Sequence, residues 1–248
     1  MNLKRFGLIG KNISYSFSKN YFKNKFEENN IKDSFYDNYD IETIEKFPEC
    51  ISQNPELIGL NVTIPYKEVI IAYLDELSEV AKKIGAVNTI KIEETGKLVG
   101  YNTDYFGFQK SIENKLLGHH KKALILGTGG ASKAISYALS ELNIAVTVIS
   151  RIASKDHLDY SQITPEIIQE NQLIINCTPI GTSPKIEECV SIPYESITNQ
   201  HFVIDLIYNP SETLFLKKAK SQGAQIQNGH EMLIQQAEKS WEIWNKKT

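Results

Sequence analysis

Residues 122–151 constrain the fold of this chain more tightly than any other stretch. An apolar run, Ala123-Leu124-Ile125-Leu126, follows Lys121 and Lys122 and stops at Gly127. A short apolar run bounded in this way reads as a strand buried on both faces of a parallel sheet. Gly127-Thr128-Gly129-Gly130-Ala131-Ser132 comes next, and then Ala131, Ala134, Ile135, Ala138, Leu139 and Leu142 recur at helical spacing on one face. A second strand, 144–149, ends at Ser150-Arg151. Strand, glycine turn, helix and strand make the βαβ unit suited to a dinucleotide. Gly127 and Gly129 permit the tight turn and the close approach of backbone N–H groups to a pyrophosphate, which the positive end of the helix also favours. Ser132 stands at the third small position, where helix and strand pack closely.

The residue ending the second strand discriminates between cofactors. An acidic side chain there binds the ribose 2′-hydroxyl of NAD. This chain has Arg151 and, one expected helical turn on, Lys155. Two cations suit a 2′-phosphate, so charge alone favours NADP(H).

Composition bounds the rest. At 248 residues, 41% hydrophobic and 23% charged, the chain has room for two modest α/β domains with real cores. Lys and Arg number 27 against 30 for Asp and Glu, and no basic run stands out, so no nucleic-acid partner is expected. The opening residues MNLKRFGLIG enter a strand-like run rather than a signal peptide, and no stretch reaches transmembrane length. Cys50, Cys177 and Cys189 are an odd number without metal-like spacing, so neither a disulfide framework nor a metal site is expected. These features describe a reduced, cytoplasmic protein.

Strand and helix patterns alternate throughout, which argues for an α/β architecture. Strands are expected at 6–9, 35–41 and 58–64, with a helix carrying Tyr21, Phe22 and Phe26 between the first two and a short one through Ile44 and Phe47. Pro65 suits the first position of a helix bearing Tyr66, Val69, Ile70, Tyr73, Leu74 and Leu77. A hairpin is expected at 87–101, turning at Glu94-Thr95-Gly96. A linker helix from Thr103, with Tyr105, Phe108, Ile112 and Leu116 in a stripe, leads to the dinucleotide unit. Further on lie a helix at 164–170, strands at 173–176, 202–206 and 225–227, and helices at 213–222 and 231–244.

Several residues are open to two readings. Lys67 falls in the first turn of the expected helix at Pro65, where the macrodipole disfavours a cation. Partly desolvated there, it would release a proton more readily, as proton transfer requires; alternatively it is a snorkelling surface lysine. Asp104 opens the linker helix, either as a routine cap or as a functional carboxylate. Asn88 reads as a turn residue beside a strand, Ser18 as the cap of the helix after it, Ser16 as a loop residue and Gln236 as an ordinary helical glutamine.

Taken together, these segments match one family. Asn61-Val62-Thr63-Ile64-Pro65-Tyr66-Lys67, Gly85-Ala86-Val87-Asn88-Thr89, Asn102-Thr103-Asp104, Gly127 to Ser132, Asn176-Cys177-Thr178-Pro179 and Gly229-His230-Glu231-Met232-Leu233 with Gln236-Ala237 stand in the order found in shikimate dehydrogenases. The chain resembles that family over nearly its whole length. The resemblance implies NADPH-dependent reduction of 3-dehydroshikimate to shikimate, a step toward chorismate and aromatic amino acids. It implies Lys67 and Asp104 as the acid-base pair. Ser16, Ser18, Thr63, Asn88, Asp104, Tyr208 and Gln236 would be the substrate contacts. For the cofactor it implies Gly127, Thr128, Gly129, Gly130 and Ala131 at the pyrophosphate, Ser150, Arg151 and Lys155 at the 2′-phosphate, and Leu206 and Gly229 near the nicotinamide. The chain departs from the family's usual pattern at Asn12, Tyr15 and Lys19, where a histidine and prolines surround the first serines, and at Ser150-Arg151-Ile152, where Asn-Arg-Thr is usual.

The expected architecture is an N-terminal substrate domain, 1–101, joined by the last helix, 230–248, and a Rossmann-like dinucleotide domain with a parallel sheet, 102–229, with the site in the cleft between them. The protein would act as a monomer or homodimer. Other readings are an NAD-using quinate/shikimate dehydrogenase, which the lack of an acidic residue at 150–152 disfavours, a folate-cycle dehydrogenase, and a non-catalytic NADP-binding sensor, against which Lys67 and Asp104 both speak.

Overall fold

The computed structural model describes residues 3–14 and 16–246, so Tyr15 lies outside the described residues. The chain is α/β and divides into two compact units. One takes the described residues up to Thr103 together with those from Gln236 onward; the other is Asp104–Gln235.

The first unit contains, in order, β1 (Lys4–Gly10), α1 (Phe17–Glu28), β2 (Ser34–Asp40), α2 (Phe47–Gln53), β3 (Leu57–Val62), β4 (Glu76–Leu77), α3 (Glu79–Ile84), β5 (Thr89–Ile92) and β6 (Leu98–Tyr101). Among the described residues they form a six-stranded sheet in the order β2-β1-β3-β5-β6-β4. β1 runs parallel to β2 and β3, while β5 is antiparallel to both β3 and β6. The β5–β6 hairpin closes as expected, with Glu93 N–H donating to Lys97 C=O at 2.9 Å and Gly96 N–H to Glu93 C=O at 2.8 Å.

Period-two alternation sorts β1 between two cores. Phe6 and Leu8 pack with Phe22, Phe26, Tyr36, Ala237 and Trp244, whereas Ile9 packs with Leu60, Val62, Ile70 and Val87. Burying each such large side chain stabilises the fold by roughly 1.5–3 kcal/mol before entropy is counted.

One expected element is absent. Pro65 does not open an α-helix: residues 65–68 form turns, and a single 3-10 helix occupies Val69–Tyr73. The Lys67 carbonyl, which a helix would use internally, instead accepts Val87 N–H at 2.7 Å. Val69, Ile70 and Ile71 are β-branched and lose side-chain freedom in an α-helix. Lys67 therefore sits in a turn held against the segment before β5, not in a helical first turn, and the macrodipole argument does not apply to it.

The second unit carries α4 (Asp104–Ile112), β7 (Lys122–Leu126), α5 (Gly130–Glu141), β8 (Ala145–Ser150), β9 (Leu158–Asp159), α6 (Pro165–Glu170), β10 (Leu173–Asn176), β11 (Phe202–Asp205), α7 (Leu214–Ser221) and β12 (Gln225–Gln227). α8 (His230–Asn245) begins in this unit and continues into the other. The sheet is parallel throughout, in the order β12-β11-β10-β7-β8-β9. Both faces are covered, as the continuous apolar strands require. Ala123 and Ile125 join Phe108, Ile135 and Leu139, and Leu124 and Leu126 join Ile168, Phe215 and Leu216. From β7 the chain winds outward through β8 and β9, then returns to β10 and winds the other way. The crevice at the carboxyl ends of β7 and β10 is thus the switch point where an open α/β sheet binds its ligand.

The linker helix stops at Ile112, short of the expected stripe through Leu116, and its chain turns as Lys115 N–H donates to Ile112 C=O at 2.8 Å. No helix among the described residues is long and apolar enough to cross a membrane.

Candidate active site

In the first unit, backbone pairing gathers the candidates at the carboxyl ends of β1 and β3. Thr63 N–H donates to Ile9 C=O at 2.9 Å, and Tyr66 N–H to Thr63 C=O at 2.9 Å. Lys67, half-buried, is tied through its carbonyl to Val87, beside Asn88. The 11–14 loop is pinned to the end of β2, because Asp40 accepts Asn12 N–H at 3.0 Å and Ile13 N–H at 3.2 Å. This fixes the entry to α1.

The cap of that helix is Ser16, whose Oγ accepts Lys19 N–H at 3.2 Å, and not Ser18 as its sequence position suggested. Ser18 lies inside the helix, buried, and shares a hydrogen bond with Tyr36. Burial holds the Tyr36 phenol above its ordinary range.

Asn88 sits at a bend directly before β5, beside a strand as expected, but its side chain does more than turn the chain. It is 2% exposed and forms the hub of a buried polar network. Thr103 N–H donates to its Oδ1 at 2.6 Å, and since a backbone amide can only donate, this fixes the orientation of the side-chain amide. Asn88 Nδ2 then faces Thr103 Oγ1 at 2.9 Å and Gln236 Oε1 at 3.4 Å. Gln236 is likewise buried, brought from far along the chain by α8. Behind them, Asn61 Nδ2 donates to Ser240 Oγ at 2.9 Å, and Asn61 Oδ1 accepts from Tyr36 Oη at 2.8 Å. Ser240 Oγ also lies 2.8 Å from Thr89 Oγ1 and donates to Gln236 C=O at 3.0 Å. A satisfied buried network of this kind holds its members in one geometry.

In the second unit, Gly127 turns at φ +112, a conformation that L side chains rarely adopt. A Cβ there would meet Thr178 Cγ2 at 3.1 Å, so the turn and the loop after β10 are in close contact. α5 begins at Gly130 with Gly129 as its cap, and space is open around Gly129. Ser132 is buried, its Oγ donating to Gly129 C=O at 2.7 Å, as close packing at the third small position requires. Exposed Thr128 and half-buried Ala131 flank this turn. Gly229 is pressed on Leu206: a Cβ would lie 2.1 Å from the Leu206 carbonyl oxygen. Tyr208, half-buried, follows β11, and burial raises its phenol above the ordinary value.

Ser150 ends β8, and Arg151 next to it is exposed. Lys155 is exposed too, but not one helical turn on. Residues 151–156 form bends, with Ser154 N–H donating to His157 C=O at 2.9 Å, and the chain then enters β9. Ser154-Lys155-Asp156 favours a side-chain-supported turn over a helix, since Asp156 N–H donates to Ser154 Oγ at 3.3 Å. Asp104 is the first residue of α4 and is buried.

The sequence reading gave no role to Asn61, Thr103 and Ser240. Ser240 carried a usable signal: with Gln236 four residues before it, it places two polar side chains on the apolar face of α8 beside Ala237 and Trp244. Among the described residues, no group of three or more His, Cys, Asp or Glu side chains is gathered as a metal ion would need.

Comparison with known proteins bears on the whole chain. Residues 8–90 match the family described as the shikimate dehydrogenase substrate binding domain. The NADP(+) shikimate dehydrogenase of Clostridium botulinum strain Hall is 42% identical over 249 residues, covering 96% of this chain and 95% of that protein. The crystal structure of the Aquifex aeolicus shikimate dehydrogenase superposes with a TM-score of 0.87 at 35% identity, over 98% of this chain and 92% of that one. A Thermus thermophilus shikimate 5-dehydrogenase in complex with NADP(H) and shikimate gives a TM-score of 0.87 at 29% identity, over 98% and 94%.

Proposed function

This chain belongs to the shikimate dehydrogenase family, and from that membership we propose that it reduces 3-dehydroshikimate to shikimate with NADPH, reversibly, with Lys67 and Asp104 as the acid-base pair. The observation that carries the reading is the convergence of Lys67, Asn88 and Gln236 in the first unit. The Lys67 carbonyl is bonded to Val87, the neighbour of Asn88, whose amide faces Gln236 at 3.4 Å. Val62 N–H donates to Asn88 C=O at 2.8 Å, so the backbones at Thr63, Lys67 and Asn88, far apart in sequence, are joined through neighbouring residues.

The second unit suits the cofactor. The Gly127 turn, the open space at Gly129 and the amino end of α5 offer backbone N–H groups to a pyrophosphate. Arg151, at the end of β8 where NAD-specific sites carry an acid, supplies a cation for a 2′-phosphate, with Ser150 beside it and Lys155 in the next turn. Leu206 and Gly229 form the wall assigned to the nicotinamide end. When bound, NADPH supplies the hydride.

The chain's own residues do the remaining work. The oxygen of a carbonyl under reduction gathers negative charge and must take a proton as it does so; Lys67 provides it and, in the reverse direction, removes it. Asp104 is the carboxylate that works with it. Ser16, Ser18, Thr63, Asn88, Tyr208 and Gln236 hold the substrate's carboxylate and hydroxyls. The fixed amide of Asn88 makes its Nδ2 a donor, which orients the acceptor oxygens around it.

The test is initial-rate oxidation of shikimate and quinate with NADP and NAD, for wild type and Lys67→Ala. The expected result is preference for shikimate and NADP, with kcat lost in the variant while shikimate still binds. A folded wild-type protein that turns over neither substrate with either cofactor would remove the enzyme reading and favour a ligand-binding sensor.

A further inference from the structure

Asp205 is an ionisable group with no part in the chemistry above, yet it is fully buried at the carboxyl end of β11. Its Oδ1 accepts Asn176 Nδ2 at 3.1 Å and Ile207 N–H at 3.0 Å, and its Oδ2 accepts Thr213 Oγ1 at 2.6 Å. Among the described residues no lysine or arginine pairs with it. Burial lifts its carboxyl to about 6, against the three hydrogen bonds that favour the anion.

The partners define what the carboxylate holds. Asn176, at the end of β10, turns its Oδ1 to Thr178 N–H at 3.0 Å and Thr178 Oγ1 at 2.7 Å, and its backbone carbonyl accepts Leu206 N–H at 3.0 Å. Thr178 is the residue against which the Gly127 turn packs. The bond to Ile207 N–H bends the chain directly after Leu206, and Ile207 C=O in turn accepts Gly229 N–H at 3.1 Å. Thr213 closes the loop after β11, and its Oγ1 caps α7 by accepting Leu216 N–H at 3.3 Å. One carboxylate therefore ties the loops after β10 and β11 at the switch point of the sheet, within one residue of Leu206.

We propose that Asp205, with Asn176 and Thr213, is a positioning cluster that presets Leu206, Gly229 and the 176–178 loop for the nicotinamide half of the cofactor, while the adenosine half is held independently of it. This rests on the NADP reading of the second unit. The adenosine half is assigned to the far side of the sheet, around Arg151 at the end of β8, which shares no hydrogen bond with the cluster.

The test is calorimetric titration of the full chain with NADP+ and with adenosine 2′-monophosphate, which lacks the diphosphate and the nicotinamide. Wild type is compared with Asp205→Asn, which keeps the shape and removes the charge, and with Thr213→Val and Thr213→Ser. The expected result is that Asp205→Asn and Thr213→Val each weaken NADP+ about tenfold, the worth of one hydrogen bond, while adenosine 2′-monophosphate binds as in wild type. Thr213→Ser restores NADP+ affinity. Equal weakening of both ligands, no weakening of either, or a Thr213→Val protein that fails to fold would overturn the positioning role. A folded wild type that binds neither ligand would remove the cofactor reading itself, a different failure from loss confined to the variants.

Discussion

Ser240→Ala isolates the buried network of the first unit. The substitution removes one oxygen from a site with no solvent exposure and leaves the surrounding shape almost unchanged. Four interactions meet at that oxygen: Asn61 Nδ2 at 2.9 Å, Thr89 Oγ1 at 2.8 Å, Thr103 Oγ1 at 3.2 Å and the donated bond to Gln236 C=O at 3.0 Å. Thr89 and Thr103 can turn their hydroxyls toward Asn88 Oδ1, at 3.1 and 3.2 Å, so they are not orphaned. Asn61 loses its best acceptor and keeps longer ones at 3.2 and 3.3 Å. A buried donor so weakened costs about 2 kcal/mol. Alanine in a helix interior returns about 0.5 kcal/mol, leaving a net loss of about 1.5 kcal/mol.

The chain itself supplies the probe. Its two tryptophans, Trp241 and Trp244, both lie on α8 in the same unit as Ser240. Urea unfolding followed by tryptophan fluorescence therefore reports that unit, and with a slope near 1.5 kcal/mol per M the midpoint should fall by about 1 M. The same change redirects the Thr89 and Thr103 hydroxyls toward Asn88 Oδ1 and so redistributes the hydrogen bonds around Asn88, so kcat/KM for shikimate should fall a few-fold with kcat affected more than the affinity for NADP. A midpoint within about 0.3 M of wild type, or a higher one, would show that the hydroxyl is not the shared partner the distances make it.

Further outcomes follow from the second unit. Gly229→Ala puts a methyl group where the Leu206 carbonyl oxygen stands 2.1 Å away, a clash with backbone that no side-chain rotation relieves. It should cost about 1–3 kcal/mol and raise KM for NADPH; unchanged melting and unchanged KM would contradict the packing. Asp205 titrates higher folded, at about 6, than its ordinary 3.8, so the folded state holds its proton more tightly. Its contribution is fully present below the unfolded value and is lost as pH rises through about 6, a swing of about 3 kcal/mol. Cys177, whose thiol is itself pushed up, and Tyr194 are the titratable groups coupled to it, and both stay neutral across that range. The stability of Asp205→Asn relative to wild type should therefore be greater at pH 7.5 than at pH 4.5; a difference independent of pH would refute the assignment.

By itself, the sequence settled the second unit almost strand by strand. A parallel strand buried on both faces is an uninterrupted apolar run, and the glycines at 127 and 129 mark a turn that side chains would obstruct, so β7, α5, β8, β10 and β11 are written locally. The motif segments around Thr63, Lys67, Asn88, Asp104 and Gln236 were equally legible as candidates. Local pattern failed where distant atoms decide. Apolar spacing after Pro65 resembles a helix, but Val87 takes the Lys67 carbonyl and only a 3-10 turn remains. Lys155 was placed by counting helical residues in a segment that a serine and an aspartate turn instead. Each serine near α1 can cap a helix, and only the path of the loop bonded to Asp40 assigns that task to Ser16. The buried roles of Asn61, Thr103 and Asp205 were decided by tertiary structure alone, whereas Ser240 showed in the sequence only as a polar residue on an apolar helix face. A polar side chain can be buried only where partners from other elements satisfy it, and no local pattern states which partners those will be.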